Sequence, residues 1–185
     1  MVEARRVSGA GRYSGPAQAM HWLTVLLVFS TIPVAMIMLQ PGIPRSLQDP
    51  LFTYHKNIGV VILALILVRL LYRLLRPAPP LPASVPPLQR RIAHATHWLL
   101  YGLIIVMAVS GYIRVVAGGF PLEVWDALGV PRLVAPDGAL AERAKAIHAV
   151  VRIPLVLLIA IHVGAALYHA LIKRDGVFSR MLPAG

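Results

Sequence analysis

Four long, predominantly apolar runs constrain this chain more than any other feature. They extend over residues 17–39, 52–75, 92–116 and 146–172. Each meets the about 20 apolar residues that a helix needs to cross a bilayer. Inside lipid every backbone polar group has to be satisfied within the protein, which leaves helices or closed barrels. The runs are continuous and do not alternate in polarity, so they read as helices. Composition agrees: 58% of the 185 residues are hydrophobic and 14% are charged, against about 45–50% and about 25% in soluble domains. Disorder needs low hydrophobicity, and a soluble globule this small has too little interior for so much apolar surface. The expected fold is all-α: an integral membrane four-helix bundle forming one domain over residues 1–185.

The connections are distinct. Arg76-Pro-Ala-Pro-Pro-Leu-Pro-Ala-Ser-Val-Pro-Pro87 reads as a stiff extended linker. In the longest loop, residues 117–145, the stretch Pro121–Leu128 suits a short amphipathic helix with Trp125 as an interfacial anchor. Pro33 and Pro154 fall inside the first and fourth spans, where proline is expected to kink a membrane helix and not to end it. Arg5 and Arg6 precede the first run as in a signal peptide. That run is longer than a signal core and lacks a small-residue cleavage site, so it reads as a retained helix.

Lysine and arginine number 18 against 7 aspartate and glutamate, a net charge of +11. In a soluble chain this would point to nucleic acid. Beside apolar spans it reads as the positive-inside bias, and no nucleic-acid partner is expected. Arg5, Arg6, Arg12, Arg69, Arg73, Arg76, Arg90, Arg91, Lys173, Arg174 and Arg180 fall on one side, opposed only by Glu3 and Asp175. On the other, Arg45, Lys56, Arg114, Arg132, Arg143, Lys145 and Arg152 are nearly balanced by five acidic residues. Both termini are therefore expected in the cytoplasm. The sequence contains no cysteine, which removes disulfides, iron–sulfur clusters, thiolate chemistry and covalent C-x-x-C-H haem attachment.

Seven histidines are many for so apolar a chain. His21 lies one turn inside the first span from the cytoplasmic side, and His55 and His148 open the second and fourth spans at the outer side. His162 follows His148 by fourteen positions, nearly four full turns and roughly 21 Å of rise, so the two share a face. This yields an outer pair, His55 with His148, and an inner pair, His21 with His162. By depth His169 suits His21 equally well, and its seven-residue separation from His162 leaves the face undecided. A b-type haem needs two imidazoles at matched depth with no covalent link. Two such haems would form an electron path across most of the hydrocarbon core, with no open iron position for a gas. A proton relay or simple hydrogen bonding within the bundle is the alternative for these residues.

The chain resembles the bacterial cytochrome b561 family of four-helix dihaem proteins. The resemblance is carried by Arg12-Tyr13 before Met20-His21-Trp22-Leu23, and by His55 with Gly59 opening a span that ends Val68-Arg69-Leu-Leu-Tyr-Arg73. It continues through the proline-rich linker, Ala93-His94, His97, His148 with His162, Lys173-Arg174-Asp175 and Met181-Leu182-Pro183. It implies His21 and His162 as ligands of an inner haem b and His55 and His148 of an outer one. It further implies residence in the bacterial inner membrane and electron exchange with quinone. The superoxide oxidase branch, which passes an electron from superoxide at the outer face to ubiquinone, is similar. Arg69 shares the face of His55 at inner-haem depth and suits a propionate, and Arg73 suits the interface. Lys56 and Arg152 are candidate propionate or anion contacts, with Arg114, Arg132, Arg143 and Lys145 adding a positive field. His169, His94 and His97 are candidates for a quinone site. Trp22 and Trp98 read as aromatic-belt anchors. The competing expectation is a haem b subunit serving a partner dehydrogenase or hydrogenase.

Overall fold

The computed structural model describes residues 11–183; Glu3, Arg5 and Arg6, used above for orientation, lie outside them. Helix α1 spans Gly15–Met38, α2 Arg45–Leu75, α3 Pro87–Ala117, α4 Glu123–Ala127 and α5 Gly138–Leu167. A π-helical turn, Tyr168–Lys173, continues α5, and a 3-10 turn covers Phe178–Met181. No strand occurs among the described residues. Four of the helices are long and apolar enough to cross a membrane. Leu26, Leu67, Val106 and Leu157 are among the many large apolar side chains left exposed, as expected for a surface that faces lipid tails.

The helices outrun the apolar spans because an apolar run marks the hydrocarbon crossing, whereas the helix continues into the interface. Helix α3 starts on Pro87, where a missing N–H costs nothing. Helix α5 starts with Asp137, whose side chain accepts from the Leu140 N–H at 3.0 Å and satisfies one of the free donors of the first turn. Both α1 and α5 run through their prolines, Pro33 and Pro154. Residues 76–86 join α2 to α3 without a helix, as the proline pattern predicts.

Helix α1 packs along α2, α2 along α3, and α3 along α5. Among the described residues α5 makes no comparable packing against α1 or α2. The bundle thus has a slot between α5 on one side and α1 with α2 on the other.

At one end the start of α1, residues 180–182 and the proline linker are tied together. Arg180, 6% exposed, donates from Nη2 to the carbonyls of Pro79 and Pro80 at 2.8 and 2.9 Å and from Nε to that of Gly11. Trp22 Nε1 donates to the Met181 carbonyl at 2.7 Å, and Gln18 Nε2 to those of Arg180 and Leu182 at 3.1 and 2.9 Å. Trp22, expected as a belt anchor, therefore also fastens the C-terminal segment.

At the opposite end α4 folds back onto α2. Lys56 Nζ meets Glu123 Oε1 at 2.7 Å and the Pro121 carbonyl at 2.8 Å. Asn57 Nδ2 donates to Glu123 Oε2 at 2.8 Å, and Trp125 Nε1 to the Asn57 carbonyl at 3.2 Å. The short helix expected in this loop is present, but Trp125 is held by the protein and is not a free lipid anchor. Burial works against the Glu123 carboxylate, yet the hydrogen bonds from Lys56, its own backbone N–H and Asn57 outweigh it and hold its pKa at about 2.

Candidate functional site

Both histidine pairs expected from depth and face meet across the slot. The rings of His21 on α1 and His162 on α5 have centroids 6.4 Å apart and planes at 77°. His55 on α2 and His148 on α5 give 6.3 Å and 84°. One metal ion bonded to a nitrogen of each ring at about 2 Å, with the half-width of each ring added, places centroids about 6 Å apart. Neither pair is joined by a direct hydrogen bond. Among the described residues no three His, Asp or Glu side chains are placed to hold a bare metal ion. The paired imidazoles thus suit a metal whose remaining ligands arrive with it, as they do in a haem.

The outer pair carries the supporting contacts of such a site. His148 Nδ1 donates to the Met107 carbonyl at 2.9 Å and lies 3.3 Å from Ser110 Oγ. That bond puts the proton on Nδ1 and leaves the Nε2 lone pair free, the usual arrangement for a metal-ligating histidine. Gly111 leaves room for this ring: a Cβ there would stand 3.1 Å from His148 Cε1. His55 Nδ1 is buried and meets no hydrogen-bond partner of full geometry among the described residues, the Thr31 backbone being the polar group set against the ring. Met107, Ser110 and Gly111 were not singled out in the sequence; a serine and a glycine inside an apolar span were the available signal.

The inner pair differs. His21 Nδ1 lies 2.8 Å from Arg69 Nη2, and His97 adds a third ring with its centroid 5.5 Å from that of His162. Arg69 thus stands at the inner depth expected of it. Its guanidinium, with that of Arg73, also covers the Tyr101 ring at 5.5 and 5.8 Å. Tyr101, which the sequence reading passed over, is buried here.

His169 does not meet His21. The chain leaves α-helical register at Tyr168, so the equal-face argument lapses there. The His169 ring instead pairs through Nδ1 with Asp175 Oδ2 at 2.7 Å. Burial opposes the Asp175 charge, but the His169 contact and the Val177 N–H keep its carboxyl below the usual range. Arg174 takes the left-handed conformation, φ 49°, in the turn that brings Asp175 back. His94 is engaged on its own helix, where its Nε2 accepts from Trp98 Nε1 at 3.1 Å. The structure therefore keeps His97, His94 and His169 at the same end but in different company.

Lys56, a candidate propionate or anion contact, is paired with Glu123, and its ammonium also donates to the Pro121 carbonyl. Arg132 and Lys145 are likewise paired, with Asp126 at 2.6 Å and Glu142 at 3.0 Å. The positive field expected at this end reduces to Arg114, Arg143 and Arg152, which have no carboxylate partner among the described residues. Arg114 is half-buried; Arg143 and Arg152 are exposed.

The family described as prokaryotic cytochrome b561 matches residues 12–184. Cytochrome b561 homolog 2 of Escherichia coli (strain K12) is 33% identical over 172 residues, 92% of this chain and 91% of that protein. A probable superoxide oxidase, CybB, of Yersinia pestis is 32% identical over 174 residues, 93% of this chain and 96% of that protein. Cytochrome b561 homolog 1 of Escherichia coli (strain K12) is 28% identical over 176 residues, 93% of this chain and 97% of that protein. With four membrane-crossing helices and a match of this extent, the chain belongs to the prokaryotic cytochrome b561 family of multi-pass bacterial membrane proteins, which bind haem b and transfer electrons.

Proposed function

We propose that this protein holds two b-type haems in the slot and carries electrons across the inner membrane to ubiquinone from an outer one-electron donor, superoxide foremost. The observation that carries the reading is the repeat of one geometry at two depths: imidazole pairs 6.3 and 6.4 Å apart, both served by α5. His55 and His148 would hold the outer haem, His21 and His162 the inner one. Iron held by two imidazoles within a porphyrin exchanges single electrons and offers no open position.

The residues around the pairs divide the remaining work. The Met107 carbonyl and Ser110 hold His148 in the ligating tautomer. The arginine excess on the linker and tail side orients both termini to the cytoplasm. Arg114, Arg143 and Arg152 then face the outside, where unpaired cations raise the local concentration of a small anion. That suits superoxide, as does the likeness to a probable superoxide oxidase. Ubiquinone would be met at the cytoplasmic end, where His97 stands against His162 and Asp175 holds the His169 ring.

The test is reduction of the haems in detergent-purified protein by a superoxide-generating system, followed in the visible with ubiquinone present and absent. Rapid reduction, and reoxidation when ubiquinone is added, is expected. Reduction no faster than a dismutase-treated control would remove superoxide as donor and turn attention to a partner dehydrogenase or hydrogenase, to be sought by co-purification.

A further inference from the structure

The segment that joins α3 to α5 carries its polar groups inward and its apolar groups outward. Phe120, Val124, Leu128, Val130 and Leu133 are 44–82% exposed, whereas Leu122 is buried and the Trp125 indole N–H is turned onto α2. The charges of residues 118–134 are cancelled in place: Glu123 by Lys56, and Asp126 by Arg132 through two bonds of 2.6 and 3.1 Å. The backbone is closed as well. The N–H groups of Phe120, Leu122, Val124, Val130 and Leu133 all reach protein acceptors, and Pro121 and Pro131 have none to offer. In water such closure is unnecessary, and so many large apolar side chains on the outside of one short segment are costly.

The depth of the segment accounts for the inversion. Thr53 Oγ1 and Asn57 Nδ2 on α2 hold the Glu123 carboxylate at 3.2 and 2.8 Å, and Val60 lines one cavity with Leu122 and Trp125. The apolar run of α2 begins at residue 52, so Asn57 stands roughly 8 Å inside it at 1.5 Å per residue. On α3 the Tyr112 hydroxyl accepts from the Leu133 N–H at 2.9 Å, one turn inside the end of the third run at residue 116. Helix α4 and the chain on either side of it therefore lie beside the bundle at the level of the bilayer interface, not above it. Amphipathic segments bury an apolar face about 5–10 Å into the boundary between headgroups and acyl chains. At that level backbone groups and charges have to be satisfied within the protein. We propose that residues 118–134 form an interfacial lipid anchor, embedded in the leaflet at this end of the bundle through Phe120, Val124, Leu128 and Leu133. These side chains continue the exposed apolar surface of the spans, and bilayer lipid is their partner. Trp125, the anchor expected from the sequence, instead ties the segment to α2. Thr53 and Asn57 share one face of α2, with His55 between them on the opposite face, so the anchor also fixes the height of that helix in the membrane.

Because the sequence contains no cysteine, a single introduced thiol carries a nitroxide at one chosen position. Leu128→Cys, Leu133→Cys and Phe120→Cys are each made in the full chain and labelled, and the holoproteins are reconstituted in vesicles of phosphatidylethanolamine and phosphatidylglycerol. Power saturation reads the collisions of each label with oxygen, which concentrates in lipid, and with a nickel chelate, which stays in water, both relative to the same sample under nitrogen. Leu67→Cys, on the exposed apolar side of α2, and Ser84→Cys, in the exposed linker, give the two reference values. The three anchor labels are expected to favour oxygen over nickel several-fold, as Leu67→Cys does. Nickel accessibility at the level of Ser84→Cys would place the segment in water and overturn the proposal. Low accessibility to both reagents would overturn it too, by showing a protein cover: dipolar broadening between labels would then identify a second copy of this chain, and its absence a different protein. All three substitutions leave the inward face of the segment untouched, the haem absorption spectrum reports assembly, and the remaining positions decide the outcome if one variant fails to assemble.

Discussion

The outer and inner histidine pairs share a ring separation to within 0.1 Å, 6.3 against 6.4 Å, yet their surroundings are opposite. The outer pair is prepared: His148 is held by a carbonyl in the tautomer a metal requires, and Gly111 clears space beside it. The inner pair has closer company: Arg69 Nη2 lies 2.8 Å from His21 Nδ1, and the His97 ring stands 5.5 Å from that of His162. On the proposed function, equal spacing would serve one coordination geometry and the difference in partners two tasks: the outer site would receive an electron, and the inner site would pass it to a quinone beside further imidazole and cationic groups.

The comparison can be broken most decisively at α5. His148→Ala and His162→Ala should each remove one haem b of two per chain, the outer and the inner respectively, as read by haem stoichiometry. Equal loss of both from either variant would mean that the sites are not separate. His169→Ala should keep both haems and slow quinone reduction several-fold; loss of a haem would replace His162 by His169 in the inner pair. Gly111→Ala should perturb only the outer haem, since the new methyl must displace a ring whose Cε1 would lie 3.1 Å away. A shift in that haem's absorption band, with the inner band unmoved, is the expected reading.

The smallest effect concerns the latch beside the outer pair. Glu123→Gln should lower stability by about 1 kcal/mol or less, because the Lys56–Glu123 pair is partly solvent-exposed. The Glu123 pKa is depressed in the folded protein to about 2. Its contribution is therefore complete above the unfolded carboxylate value and is lost as pH falls towards 2. Thermal melts of wild type and variant should differ by a constant amount near neutrality and converge only in strong acid.

The spans were legible because lipid imposes a single demand on twenty consecutive residues, and no distant contact can override it. The pairing of His55 with His148 was legible from depth, and His162 shares the face of His148 because α5 keeps helical phase over fourteen positions; His162 as the partner of His21 came from the family resemblance and not from phase. His169 could not be resolved in advance. The π turn that carries it away from His21 begins at Tyr168 and closes through Asp175, a contact set by the loop and not by periodicity. The pairing of Lys56 was not legible for a similar reason. Its partner Glu123 lies in another element, and the fold of the intervening loop alone decides that they meet. Asn57, buried within α2 and bonded to both Glu123 and the Val124 N–H, was the available clue, a polar residue in an apolar span with work to do. Arg180 gave no sign at all: its partners are the carbonyls of Gly11, Pro79 and Pro80, which every residue possesses.

The central claim is that one slot holds two haems, one at each imidazole pair. The most direct measurement is a pyridine haemochrome determination on purified protein, combined with reduced-minus-oxidised spectra of wild type, His55→Ala and His162→Ala. Two haem b per wild-type chain and one per variant, with different residual spectra, is the result expected. One haem in the wild type would mean that only one pair binds iron, and none would return the histidines to hydrogen bonding and proton transfer.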